Sequence, residues 1–354
     1  MAKRDTSIDL MRFIGFSLIV LAHIGLSRAS GASTIFQLRS FDVPLMVFTS
    51  GLAFSGKNIG SYWSFIWKRA LRLVVPVYIF VAAYILLNPL LSGWGLVEDY
   101  SQRQILGTFG LRLNPSIGYV WIIRVFLIVM LVTPLLMKLE KNIKSSGMFY
   151  LTVASILAVQ AVLVFWLKPM SKSLEDIPVL GVFVNDWLMY VFGYSAVFMT
   201  GLRFRKEKLL QKIVMFVILL AALAAMAFFM QENHGTWLRF QQYKYPPQMY
   251  FLLWGMLISS LLWMTSRLWT PLLDNTLFSF IGRNTIWIYL WHIPFVNLVF
   301  SEHGYIAPFD AWPAVWKYVF VYASALCVYG LQYRLVCLIE RRWPDNFITK
   351  YFKG

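Results

Sequence analysis

Charged residues are scarce in this 354-residue chain: they make up 14% of it, against about 25% in a typical soluble domain. This shortage argues against the two soluble domains that the length alone would allow. Apolar blocks instead follow one another from end to end, and 59% of the residues are hydrophobic. The composition therefore indicates an integral membrane protein, with residues 1–354 forming a single membrane-embedded domain.

Cysteine and histidine are also rare. The two cysteines, Cys327 and Cys337, lie in one predicted helix about 15 Å apart, which is too far for a disulfide between them. Two of the four histidines, His234 and His303, are predicted in outer loops without neighbouring metal ligands. We therefore expect no metal site. The sequence also has no phosphate-binding loop, no dinucleotide fingerprint and no serine-hydrolase elbow, which argues against those chemistries.

Acidic residues number 16 against 32 Lys and Arg, so the net charge is +16. Such an excess can indicate nucleic-acid binding. Here, however, the basic residues lie in short clusters between apolar blocks, where cytoplasmic loops carry them. We therefore expect no nucleic-acid partner.

Ten apolar stretches of roughly 17–25 residues are long enough to cross a bilayer. They predict an all-α, polytopic integral membrane protein with about ten transmembrane helices. The second stretch is short and the last two carry polar residues, so nine or eleven crossings stay open. The stretches lie at 8–27, 41–57, 72–91, 119–137, 148–167, 182–201, 212–230, 248–266, 281–300 and 314–338.

The distribution of Lys and Arg predicts the orientation. With the N-terminus inside, 21 of these residues fall in inner segments and nine in outer loops. Cytoplasmic loops of membrane proteins carry such an excess. We therefore expect both termini in the cytoplasm, and a multi-pass protein of the inner (plasma) membrane.

The first predicted helix carries three polar residues that are costly in an apolar segment, Asp9, Arg12 and His23. At about 100° per residue, His23 lies about 20° from Arg12 and about 40° from Asp9, so all three share one face. They are either a snorkelling ion pair with a packed histidine, or the lining of a passage with a base at its outer end.

The ninth predicted helix has a second histidine, His292, near mid-membrane, with Thr285 seven residues earlier on the same face. His292 serves either a catalytic site or only a hydrogen bond between helices. At the inner mouth of the third helix, Arg69 and Arg72 are neighbours on one face. Their guanidinium groups either hold phosphate bidentately or are an ordinary positive-inside signal.

Short stretches around Asp9, His23, Arg69, Arg72 and His292, together with several others, resemble acyltransferase family 3 of membrane proteins. They occur in the family's order and cover most of the chain. Each is weakly specific alone, and the ordered set is fairly specific. The matching stretches are Ile8-Asp9-Leu10-Met11-Arg12 with His23, Val43-Pro44-Leu45-Met46 through Ser50-Gly51, Arg69, Arg72, Pro76 and Tyr78, Tyr119-Val120-Trp121, Tyr245-Pro246-Pro247, and Ile288-Tyr289-Leu290-Trp291-His292.

The resemblance implies transfer of an acyl group, commonly acetyl, from cytoplasmic acyl-CoA to a hydroxyl of an extracytoplasmic polysaccharide or glycolipid. Acyl-CoA is then a co-substrate, no cofactor is tightly bound, and membrane lipid surrounds the protein; the oligomeric state stays open. His23 would take the proton from the acceptor hydroxyl, because an imidazole titrates near working pH. The other implied residues are Asp9, Arg12 and His292 at the catalytic site, Arg69 and Arg72 for CoA, and Ser50, Trp121 and Tyr289 for substrate.

Three departures from the family pattern stand out. Phe13 follows Arg12 where the family often has glycine, and Met46-Val47 replaces a usual pair of phenylalanines. Arg124 stands three residues after Trp121, where an acidic residue is frequent, so the acid–base arrangement stays open.

The alternative function is a transporter or flippase of glycans or lipids, since buried Arg and His fit that class too. Such a protein is expected to show two related halves, which are not detectable in the sequence. A membrane protein with a structural or sensor role and no catalysis is the third possibility.

Overall fold

The structure, a computed structural model, describes residues 5–25, 33–95, 97–175, 177–235, 237, 239–301, 304–305 and 307–353. Helices make up 81% of the chain, and the only strands in these ranges are the two-residue β1 (Phe300–Ser301) and β2 (Gly304–Tyr305). The helices are α1 (Thr6–His23), α2 (Ser33–Leu38), α3 (Asp42–Phe54), α4 (Tyr62–Gly93), α5 (Gln102–Phe109), α6 (Trp121–Asn142), α7 (Ser146–Leu167), α8 (Ser171–Glu175), α9 (Pro178–Val182), α10 (Met189–Phe204), α11 (Leu209–His234), α12 (Met249–Met264), α13 (Ser266–Leu273), α14 (Thr276–Arg283), α15 (Thr285–Val299), α16 (Ala314–Arg342) and α17 (Phe347–Phe352).

The all-α, multi-pass prediction is confirmed. Within the described ranges, seven helices are long and apolar enough to cross a membrane, or eight if α12 and α13, which meet at a 74° bend, form one span. Two of the ten predicted stretches correspond to shorter helices, α3 with 13 residues and α15 with 15. The count of about ten crossings and the cytoplasmic termini stay predictions.

The layering follows from which helices bury their side chains. Only 22% of the most apolar segment of α11 is buried in the protein. In the span from Val179 to Phe204, which contains α10, the buried share is 61%. Helices satisfy their own backbone hydrogen bonds, so an apolar surface such as that of α11 can face lipid. The core therefore lies around α3 and α10; α7 packs against α10, and α11 packs against α12.

Two glycines bring α3 and α10 into close contact. A Cβ atom added at Gly201 would lie 2.1 Å from the carbonyl oxygen of Phe48, and one at Gly51 would lie 2.2 Å from that of Phe198. Small residues permit such close approach of helix backbones inside membranes. The α3–α10 contact therefore depends on the absence of a side chain at both positions.

We expect Gly201→Ala to lower the free energy of unfolding by about 1–3 kcal/mol, because backbone atoms cannot make room as a flexible side chain would. The matched control is Gly330→Ala in α16, where a Cβ atom would meet nothing within 4 Å. Helix propensity alone should make that control neutral or more stable. Thermal unfolding in detergent measures both variants, and equal melting temperatures would contradict the close contact.

Candidate active site

Two cavities of different chemistry lie along α6, and they are named outer and inner after the orientation that the distribution of Lys and Arg predicts. The outer cavity, of about 290 Å³, is lined by His23, Trp121 and polar residues of the loop that follows α5. The inner cavity, of about 260 Å³, begins at Phe126 and has mostly apolar walls. Trp121 and Phe126 are about 7.5 Å apart along the axis of α6. The two cavities therefore lie one above the other, with α6 lining both.

Helix α15 also reaches both cavities. Ile286 lines the inner cavity and Asn297 the outer one, about 16 Å further along the helix axis. His292 lies between them and is completely buried. The structure thus brings the two predicted histidines together: His23 Nδ1 and His292 Nε2 are 2.8 Å apart.

The partners of His292 decide which ring nitrogens carry protons. Its Nδ1 contacts the carbonyl oxygen of Tyr289, which can only accept, so this nitrogen carries the hydrogen. In a neutral ring the other nitrogen, Nε2, is then an acceptor, and His23 must donate to it from Nδ1. The remaining nitrogen of His23, Nε2, keeps its lone pair. His23, which is half-buried, is thus set up as a base beside the outer cavity.

Tyr119 closes one side of this pair. Its ring centroid lies 4.4 Å from that of His23, and its backbone has φ 63°, a left-handed conformation that is rare without glycine. The hydroxyl of Tyr289 donates to the Tyr119 carbonyl oxygen and so holds the turn in place. Tyr289 is buried and reaches Tyr119 and His292; it is not among the described residues that line the outer cavity.

A buried ion cluster lies behind the cavity wall. Asp42 accepts from Arg39 at 2.5 Å and from Lys244 at 3.2 Å. Lys244 Nζ also lies 5.6 Å from the ring centres of both Trp121 and Tyr245, which line the cavity. Burial lowers the pKa of Lys244 to about 8; Asp42 opposes the shift and Arg39 adds to it. The cluster supports the aromatic wall and adds positive potential next to His23.

The partner of Arg124 is Asp186, which lies in the π-helical turn before α10. Arg124 is completely buried, and its Nη1 donates to the Asp186 carboxylate at 2.6 Å and to the Leu111 carbonyl oxygen at 3.0 Å. Arg112 donates to the same carboxylate at 3.1 Å. Arg124 therefore fixes the loop that borders the outer cavity, and its negative partner comes from another element rather than from α6.

The inner cavity contains the two arginines that were predicted to bind CoA and one residue that was predicted to bind substrate. Arg69, Arg72 and Ser50 all line it, among the phenylalanines Phe54, Phe65, Phe126 and Phe198. Both arginine side chains are exposed, and the guanidinium carbon of Arg69 lies 5.1 Å from the ring centre of Phe54. Ser50 donates to the carbonyl oxygen of Met46 within α3. The inner cavity is therefore an apolar slot that carries two exposed guanidinium groups.

Asp9 and Arg12 lie away from the histidine pair. They form an ion pair at 3.6 Å, and Arg283 from the end of α14 binds Asp9 at 3.1 Å. Asp9 precedes His23 by fourteen residues, about 21 Å along α1. The ion pair therefore joins α1 to α14 and does not reach His23, and the shared helix face stays a prediction.

Several residues of the outer cavity were not predicted from the sequence. Tyr119 and Tyr245, and Lys244 behind them, lie in or beside stretches that match the family, but the resemblance implies no role for them. Glu98, Tyr100 and Asn297 gave no signal, because they meet only when the loop before α5 folds onto the end of α15.

The fold is that of a multi-pass membrane protein, and two of its helices bring His23 and His292 together beside one cavity. The chain belongs to acyltransferase family 3: the family model, described as an acyltransferase domain, matches residues 5–331. The resemblance seen in the sequence is thereby confirmed, and the protein is an acyltransferase. No curated protein and no solved structure gives a match.

We expect His23→Ala to reduce acyl transfer by about 10²–10⁴, the usual cost of losing a general base. His292→Ala should cost less, about ten- to a hundredfold, because His292 acts by orienting His23. The double variant should be no slower than His23→Ala alone, since the second residue works only through the first. Steady-state rates of the purified variants test this.

If the double variant loses as much activity as the two single losses combined, His292 does not act through His23 and the prediction is wrong. The melting temperature of each variant is the control for folding.

Proposed function

We propose that the protein transfers an acyl group, most simply acetyl, from cytoplasmic acyl-CoA to a hydroxyl of an extracytoplasmic polysaccharide or glycolipid. The reaction would take place in the inner (plasma) membrane. The observation that carries the proposal is the pair of cavities along α6 and α15, with exposed arginines at one and a histidine base at the other. The inner cavity suits the donor, and the outer cavity suits the acceptor.

The donor is matched by charge and shape. CoA carries phosphates at one end and a long pantetheine arm at the other, with the acyl thioester at its tip. Arg69 and Arg72 would hold phosphate oxygens as bidentate donors. The apolar slot beyond them, between α3, α4 and α6, would hold the arm, so that the thioester points towards His23.

The chemical step needs one base and one carbonyl. His23 Nε2 takes the proton of the acceptor hydroxyl while the oxygen attacks the thioester carbonyl carbon. The C–O bond forms, the C–S bond breaks, and the thiolate leaves as CoA after taking the proton back from His23. The imidazolium formed in between donates a charge-assisted hydrogen bond from Nδ1 to His292.

Direct transfer fits the described wall residues better than a covalent enzyme intermediate through an oxygen or sulfur nucleophile. Ser116 is the only aliphatic hydroxyl that lines the outer cavity in the part of the chain that the structure describes, and it donates to the Leu113 carbonyl oxygen at 3.0 Å. Ser50 and Thr133 line the inner cavity, and each donates to a carbonyl oxygen of its own helix. The two cysteines lie in α16 and line neither cavity.

Release of CoA from acetyl-CoA by the purified protein tests the proposal directly. Arg72→Ala should weaken CoA binding by roughly tenfold or more, because a hydrogen bond to a charged group contributes about 1.5–3 kcal/mol. We expect the lower end of this range, because the Arg72 side chain is exposed. Arg72→Lys should rescue binding only in part, since an ammonium lacks the fork. Calorimetric titration with CoA gives the affinities.

The matched control is Lys68→Ala, which removes an exposed neighbouring charge that does not line the inner cavity. Equal losses for Lys68 and Arg72 would reduce the arginines to a general positive-inside signal. Absence of any CoA-dependent product would favour the flippase alternative.

A further inference from the structure

The described wall of the outer cavity combines aromatic rings with polar side chains and carries little charge. Its Tyr, Trp and Phe members are Tyr100, Tyr119, Trp121, Tyr245 and Phe300, and its amides are Gln104, Asn114 and Asn297. Among the described lining residues, Glu98 is the only one with a full charge, apart from the titratable His23. Aromatic rings and amides suit the apolar faces and hydroxyl groups of a sugar ring.

A network of three side chains prepares one hydrogen-bond donor in this wall. Asn297 Nδ2 lies 2.9 Å from the hydroxyls of both Tyr84 and Tyr100 and donates to both. These hydroxyls are 3.2 Å apart, so one donates to the other and one phenolic proton is left over. Tyr84 is buried and Tyr100 lines the cavity, so we assign that proton to Tyr100. It can be donated to a neutral oxygen of the acceptor.

Two basic side chains close to the outer cavity, Lys244 and Arg112, do not present their charge directly to it. Lys244 is 3% exposed, lies behind Trp121 and Tyr245, and is paired with Asp42. Arg112 is paired with Asp186 and does not line the cavity. Proteins that recognise a carboxylate or phosphate typically present an arginine fork or a lysine directly to it. Glu98 instead presents a negative charge at the cavity.

We propose that the outer cavity selects an uncharged sugar, or one that carries an amine, and disfavours acceptors with a carboxylate or phosphate, and that Glu98 sets this preference. The inference rests on the proposed function, because it refines the acceptor of that reaction. Its physical basis is selection against a wrong ligand by like charge, since Glu98 is acidic and none of the described wall residues is a Lys or Arg.

The test is binding of two matched probes to the protein in nanodiscs of zwitterionic lipid. Methyl β-glucopyranoside and methyl β-glucopyranosiduronate differ by one carboxylate, and titration by saturation-transfer NMR gives both dissociation constants. We expect the neutral probe to bind about fivefold more tightly, the size of one like-charge contact near 4 Å in water. Glu98→Gln should reduce the difference to less than twofold, and high salt should reduce it as well.

Asp99→Asn is the matched control, because Asp99 is the exposed neighbour and does not line the cavity. That variant should keep the fivefold preference. Equal or tighter binding of the uronate, or an unchanged preference in Glu98→Gln, would overturn the inference. If neither probe binds while the protein releases CoA from acetyl-CoA, the inference fails and the proposed function stands. If the neutral probe binds with the expected preference but no CoA is released, the proposed function fails and the charge preference of the cavity stands.

Discussion

The hydrogen bond between His23 and His292 joins two helices that are far apart in the sequence. Both side chains would be costly in an apolar segment without a partner. Their bond pairs one nitrogen of each ring and holds the end of α1 at His23 against α15. The inner end of α1 is fixed by Asp9 and Arg283, where Gly282 allows α14 to approach the Asp9 backbone closely. The register of α1 is therefore set at both ends, and with it the position of the base.

The buried carboxylates in the described part of the chain follow one pattern, in which each is shared by two cations. Each of these acidic residues is at most 7% exposed, so removal of the carboxylate would leave two neighbouring cations without their partner, whereas removal of one cation would still leave an ion pair. The arrangement also shows how a chain with twice as many basic as acidic residues can place charge inside an apolar fold. The clusters are Asp9 with Arg12 and Arg283, Asp42 with Arg39 and Lys244, Glu140 with Arg203 and Lys206, and Asp186 with Arg112 and Arg124.

The sequence predicts those features of the fold and the site that depend on local patterns. Long apolar runs predict helices, and costly side chains in them, such as His23 and His292, mark candidate sites. Helical periodicity placed Asp9 on the face of His23, but it says nothing about reach, and the two lie on different levels of the membrane. Asn297 and Tyr100 could not be predicted to meet, because no local pattern encodes a contact between residues 197 positions apart. Arg124 was read as an anomaly because its partner Asp186 comes from another element.

The central claim is that donor and acceptor meet across the membrane at one base. Sealed proteoliposomes with [¹⁴C]acetyl-CoA trapped inside and an impermeant methyl glycoside outside test it most directly. The account predicts that the external glycoside becomes labelled while the CoA product stays inside, and that His23→Ala abolishes the labelling. Transfer that occurs only when donor and acceptor are on the same side would contradict it.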